Sequence, residues 1–380
     1  MPIYLDSNAT TRVHPEVIDA MMPFLTDHWY NPSSGYGAGQ AVKAAIGKAR
    51  EQVASLIGAK PSEIVFTGCG TESNNMAIKS LAREIGRKHS KVLVSEIEHS
   101  AVLRPTEAMA AVGFDVQRIG VDGEGRLDLE AFEKAIDTSC PGFISIMWAN
   151  NETGVIQPIA EAAALAKKAG WFVHTDAIQA VGKVPVKVDE APVDFLSISG
   201  HKFHAPKGVG VLYVRENSPF EPMIRGGGQE EGRRSGTENV PYIVGLGKAA
   251  ELMQSELENG GIDRVGMLRD LLETTLCDRL KGVQLNGSRE HRTTNVAHVS
   301  FEGCVAAEML PKLDAAGIQC SAGSACMTGK ANPSHVQKAM GFSDERAFSS
   351  LRLSLSIFST DGEVLEAAES IIQIVNDVRA

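Results

Sequence analysis

Cysteine is scarce: Cys69, Cys140, Cys277, Cys304, Cys320 and Cys326 are the only six among 380 residues, with no CxxC pair and no regular spacing. A disulfide framework and a structural zinc site are disfavoured, and a reducing, cytoplasmic compartment is expected. Basic charge is in deficit, 37 Lys and Arg against 47 Asp and Glu for a formal charge of -10. No direct nucleic-acid binding is therefore expected. No apolar run reaches membrane-spanning length, and the opening MPIYLDSNATT lacks the basic and apolar regions of a signal peptide, so no membrane association is expected. Repeats, low-complexity stretches and disordered linkers are also missing.

What is present is core-forming material. Hydrophobic residues make up 43% of the chain, enough for one or two domains without disulfide support. Helical spacing in VIDAMMPFL and QAVKAAIGKAREQVASLIGA brackets the Gly-rich NPSSGYGAG. EIVFTGCG then reads as a buried strand ending in a glycine turn, and TESNNMAIKSLAREI as a helix whose opening NH groups suit an anion. Strand and helix alternate through KVLVSEIEHSAV, FDVQRIG, FISIMWANNETG, IAEAAALAKKAG, WFVHTDAIQA, FLSISGHKF and GVGVLYV, which predicts an α/β sheet with covering helices. After about residue 245 a long helical run leads into TNVAHVSF, AAEMLPKLDAAGIQC, LRLSLSIF and a terminal helix, read as a smaller domain.

Lys202 follows the strand FLSIS. Alone it reads as a solvated surface charge; functionally it suits imine formation with an aldehyde cofactor and then a base near a substrate Cα. Asp176 ends the strand WFVHT, where carboxyl-terminal strand ends open onto a crevice. It caps a turn or pairs with a protonated pyridine nitrogen, with Gln179 three residues on to reach a ring hydroxyl. GCGTES offers turn NH groups and the Thr71 hydroxyl for a phosphate, and Ser199 and His201 add donors beside Lys202. The glycine turn matches neither a Walker sequence nor a dinucleotide fingerprint.

His99 reads as an ordinary histidine or as a ring-stacking, proton-transferring one. Asn151 reads as a turn residue or a donor to a substrate carboxylate. Arg352, in SSLRLSLSIF, reads as an edge-strand charge or a bidentate carboxylate clamp. Cys326 sits in CSAGSACMTGKANPSHV between Gly323 and Gly329, a small-residue setting that favours a nucleophile over a buried apolar side chain. Cys320 closes an apolar run and is left structural or redox-active.

Taken together, YLDSNATT, NPSS, EIVFTGCGTESNN, EHSAV, MWANNETG, HTDAIQAVGK, SGHKFHAPKGVG, RGGGQEEGRRSGTEN, SAGSACMTG and RLSLSIFST resemble the NifS-like cysteine desulfurases, across essentially the whole chain. The resemblance implies an α/β, fold-type I PLP-dependent transferase with a large mixed-sheet domain (16–250) and a smaller α/β domain (1–15 and 251–380). A mobile loop around 321–333 is implied to carry the reacting cysteine. It further implies that Lys202 joins pyridoxal 5'-phosphate (PLP), Asp176 pairs with the pyridine nitrogen, His99 stacks on the ring and Gln179 donates to the ring oxygen. Thr71, Ser199 and His201 resemble phosphate contacts, and Thr237 the phosphate contact given to the other subunit of a homodimer. Cys326 matches the residue that takes sulfur as a persulfide, and Asn151 and Arg352 match the residues that position L-cysteine. The acceptor is then a thiol or an iron–sulfur scaffold protein. The segment around Cys326 resembles the long-loop group, with Ala322, Met327 and Ser7 departing from its usual residues. A selenocysteine lyase or another C–S lyase would share this chemistry and differ in its product.

Overall fold

The computed structural model describes residues 2–323 and 332–380. The chain begins with β1 (Ile3–Tyr4), α1 (Pro15–Thr26) and α2 (Gly37–Ile57). A run of alternating elements follows: β2 (Ile64–Thr67), α3 (Gly70–Ile85), β3 (Lys91–Ser95), α4 (Ser100–Ala111), β4 (Asp115–Ile119) and α5 (Leu129–Ala135). It continues through β5 (Gly142–Ser145), α6 (Ile159–Lys168), β6 (Phe172–Asp176), β7 (Phe195–Ser199) and β8 (Gly210–Val214).

The strands of this run form one seven-stranded sheet in the order β2-β8-β7-β6-β5-β3-β4. Only β8 runs against its neighbours β2 and β7, so the sheet is mixed and the carboxyl ends of the other six share one edge. Both faces are covered, which is why these strands read as nearly continuous apolar runs. In β8, Val211 and Tyr213 enter the core on one face and Leu212 and Val214 the core on the other. The exposed edge falls to β4, whose Gln117 and Arg118 keep it polar.

The helical run expected after residue 245 is two helices, α7 (Val240–Glu258) and α8 (Gly261–Arg279). They break at Gly260, whose φ of 79° is the left-handed conformation glycine adopts without steric cost. The remaining elements are β9 (Val283–Leu285), β10 (Val296–Phe301), α9 (Ala306–Ala315), β11 (Ile318–Gln319) and β12 (Ser321–Ala322). Last come α10 (His335–Ala339), α11 (Asp344–Phe348), β13 (Ser350–Ser354) and α12 (Asp361–Arg379). A second, antiparallel sheet has the order β12-β13-β10-β9. Its core joins Leu268, Leu272 and Leu276 of α8 to Ile371 and Val375 of α12, and takes in Ile3 and Leu5 from the amino-terminal segment. β1 pairs with β11 in parallel, which carries residues 6–9 to the carboxyl edge of the large sheet.

Candidate active site

Asp176 is the last residue of β6 and is buried. Its Oδ2 accepts a 2.7 Å hydrogen bond from Asn74 Nδ2 on α3, and its Oδ1 accepts one of 3.0 Å from the Ile178 amide. Burial pushes the carboxyl pKa up; those two donors, His99 and Lys202 pull the other way. Asn74 and the turn thus hold a carboxyl at the cavity wall without neutralising it, and no Lys or Arg among the described residues forms an ion pair with it. A cationic ring nitrogen is the kind of group that would relieve its burial.

Lys202 ends the short turn Gly200–Lys202 that follows β7. Its Nζ donates to the backbone oxygens of Asn8 and Ala9, each at 2.7 Å. Burial, assisted by the positive charge of Arg352, brings its pKa down to about 8. The amine is therefore available in its neutral form close to neutral pH, which an exposed lysine is not.

The start of α3 approaches the end of β7 because residue 70 is glycine: a Cβ there would lie 2.2 Å from Ile178 Cδ1 and 3.3 Å from Ser199 Cβ. The first-turn amides of a helix have no intrahelical acceptors, so this packing brings unpaired N–H groups and Thr71 to the buried Ser199. His201, beside Lys202, shares a 3.1 Å hydrogen bond between its Nδ1 and Thr10 Oγ1. Burial and the neighbouring Lys202 bring its pKa down to about 4, so it is neutral.

His99 caps α4: its Nδ1 accepts a 3.1 Å bond from the Ala101 amide. Desolvation lowers its pKa, so the ring is neutral with its proton on Nε2. Gln179 donates from Nε2 to Asn8 O at 3.0 Å, which uses one of its two amide hydrogens. On the opposite wall, Arg352 of β13 pairs with Asp6 at 2.8 Å and donates to Asn151 O at 3.1 Å, while its buried Nε has no partner among the described residues.

Nine of the expected site residues, Thr71, His99, Asn151, Asp176, Gln179, Ser199, His201, Lys202 and Arg352, line one cavity of about 320 Å³. That is at the small end of ligand pockets, which span about 300–1,000 Å³. Thr237 is exposed and lines a separate cleft with Gly68, Glu230 and Arg234. Cys326 lies outside the described residues.

Four contributors were not singled out from the sequence. Asn8 and Ala9 act through backbone oxygens, Asn74 acts through Asp176, and Glu98 lies behind the wall. Glu98 Oε1 accepts from Ser95 Oγ at 2.5 Å and from the Met147 amide at 2.6 Å, and burial pushes its pKa up to about 8. YLDSNATT and GTESNN contained three of these residues, Asn8, Ala9 and Asn74, but nothing in either segment distinguished a junction residue from a turn residue.

The donor set fits PLP: an amine with a depressed pKa, a buried carboxyl at the wall, and unpaired helix amides beside Ser199 in one small cavity. The class-V aminotransferase family model matches residues 3–366. A cysteine desulfurase of Trichormus azollae is 44% identical over 379 residues, covering 100% of this chain and 94% of that protein. Among solved structures, a NifS-like protein superposes with a TM-score of 0.92 at 37% identity, over 99% of this chain and 100% of that one. SspA in complex with cysteine superposes with a TM-score of 0.81 at 35% identity, over 94% of this chain and 99% of that one. The chain belongs to the class-V aminotransferase family of fold-type I PLP enzymes, in its NifS-like cysteine desulfurase group.

Proposed function

We propose that this cavity is the active centre of a PLP-dependent cysteine desulfurase, with PLP held by Lys202, Asp176, His99 and Gln179 around its ring. Thr71, Ser199 and His201 would hold its phosphate, joined by Thr237 from the second subunit of a homodimer. The chain converts L-cysteine to L-alanine with transfer of the sulfur. The observation that carries the assignment of roles is the convergence of Lys202, Asp176 and the start of α3 on one small cavity.

When bound, PLP supplies an aldehyde for exchange between amines and an electron-withdrawing ring. Asp176 holds a proton on the ring nitrogen through its carboxylate, and Asn74 and the Ile178 amide fix that carboxylate in place. Arg352 and Asn151 bind the carboxylate of L-cysteine and orient its Cα toward Lys202. Lys202 takes the Cα proton on its neutral Nζ. His99 presents its Nε2 proton to the cavity. The Cys326 thiolate then forms an S–S bond to the substrate sulfur as the substrate's Cβ–S bond breaks. The electron pair of that bond passes to the carbon skeleton, which is protonated and leaves as L-alanine, and Cys326 retains the sulfur as a persulfide.

The acceptor of that sulfur is proposed to be a thiol or an iron–sulfur scaffold protein in the cytoplasm. No helix among the described residues is long and apolar enough to cross a membrane. We also propose the division into residues 16–250 and 1–15 with 251–380. It is supported by two cores, one holding Val17 and Ala250 and the other holding Leu5 and Val265, although Met253 and Ile262 from just past the boundary pack into the first. The test is alanine production by PLP-loaded protein given L-cysteine, alongside Cys326→Ala. Alanine from the wild type, and loss of alanine with a retained cysteine-induced spectral change in the variant, are expected. No alanine from PLP-loaded wild type would refute the assignment.

A further inference from the structure

Lys183 is buried, yet no carboxylate among the described residues forms a salt bridge with it. Its Nζ donates at 2.9 Å to Asn8 Oδ1 and also donates to Gln179 Oε1. A neutral primary amine has two N–H donors, so these two acceptors satisfy it without a charge. Burial is the main cause holding its pKa well below the usual lysine value, and the positive charges of Lys202 and Arg352 act the same way. His201 and His204, the other titratable groups that sense it, are themselves held neutral.

The two acceptors are the ones that control the cavity. Asn8 is held by further hydrogen bonds: Oδ1 also accepts from Asn295 Nδ2 at 2.9 Å, Nδ2 donates to Asn151 O at 3.1 Å, and its amide donates to Ser354 Oγ at 2.9 Å. Its backbone oxygen accepts from both Lys202 Nζ and Gln179 Nε2. Gln179 is an amide that can be turned end for end, and only the orientation with Oε1 toward Lys183 leaves its N–H groups toward Asn8 O and the cavity.

We propose that Lys183 is a positioning residue: as a two-donor bracket across Asn8 and Gln179, it fixes the Gln179 amide with its hydrogens toward the bound cofactor. This rests on the assignment of PLP to the cavity. A flipped or mobile Gln179 would present an oxygen to the ring oxygen, so the proton affinity of the bound chromophore would change even where the fold does not.

The experiment is a pH titration of the visible absorbance of PLP-loaded protein, for the wild type, Lys183→Met, Gln179→Ala and the double variant, with circular dichroism as the check on folding. Lys183→Met should shift the midpoint by about one pH unit, the size of effect one lost hydrogen bond to a charged group has. Gln179→Ala should shift it in the same direction, and the double variant should match Gln179→Ala alone. An unchanged midpoint in folded Lys183→Met, or shifts that add in the double variant, would overturn the proposal. Should Lys183→Met not fold, Lys183→Gln gives the same reading, since its shorter neutral side chain cannot reach both acceptors; an unchanged midpoint there overturns it equally. The wild-type spectrum tests whether PLP binds, and only the difference between variants tests Lys183.

Discussion

The two walls of the cavity are prepared to different degrees. On the large-sheet wall, Asp176 already has two donors, Asn74 and the Ile178 amide, and Lys202 has two acceptors, the backbone oxygens of Asn8 and Ala9. On the small-sheet wall, the Arg352 guanidinium is engaged with Asp6 and the Asn151 carbonyl, and its Nε is unpaired among the described residues. A cofactor that stays bound through every turnover suits the first wall. A substrate carboxylate that must come and go suits the second, because it can replace or share an existing partner rather than meet a bare buried charge.

Breaking the large-sheet wall should cost the most. Lys202→Ala is expected to lower alanine formation about 10⁴-fold, the upper end for a positioned base, measured as single-turnover alanine release. The same lysine sets a pH signature. Its folded pKa of about 8 lies below the ordinary value, so the neutral, proton-accepting form is lost as pH falls through 8 and gained as it rises. The rate of Cα-proton removal, read by exchange of α-deuterated cysteine, should therefore climb through about pH 8 and level off above it.

Breaking the small-sheet wall should leave the cofactor in place. Arg352→Ala is expected to raise KM for L-cysteine about 100-fold while the visible spectrum of bound PLP is unchanged, the loss of a charge-assisted hydrogen-bond pair. A spectrum altered as strongly as in Asp176→Ala would erase the distinction between the walls.

The smallest effect sharpens the comparison at the edge of the small sheet. A Cβ on Gly323 would come within 2.7 Å of Gln337 Nε2, 2.8 Å of Glu152 Oε2 and 2.9 Å of His298 Nε2. Glu152 lies in a turn and His298 on β10, and Gln337 Nε2 and His298 Nε2 have no hydrogen-bond partner among the described residues. Gly323→Ala should destabilise the protein by about 1–3 kcal/mol, as overpacking does, seen as a lower Tm with PLP absorbance retained.

How far these walls were legible follows from how each residue works. Asp176, Ser199, Lys202 and His99 stand at or just past strand ends, where apolar periodicity gives way to polar residues, and so a sequence pattern located them. The strand and helix order of the large sheet was readable for the same reason. Asn8 was not, because its influence runs through a backbone carbonyl and a side chain that joins two cores, and neither leaves a periodic trace. Lys183 was not singled out from the sequence; only packing reveals that it is buried with no carboxylate partner among the described residues. Asn259-Gly260-Gly261 did carry the break between α7 and α8, but helical apolar spacing on both sides masked it. The role of Thr237 came from resemblance alone, and it lies outside the cavity; Cys326 was read as a nucleophile from its small-residue setting and as the persulfide carrier from the resemblance, and it lies outside the described residues.

The most direct test of the desulfurase account is intact mass of PLP-loaded protein after L-cysteine, with peptide mapping before and after reduction. The account predicts a reducible one-sulfur adduct on the peptide containing Cys326, formed together with L-alanine. L-alanine without that adduct, with the sulfur released directly or found on another cysteine, would contradict it.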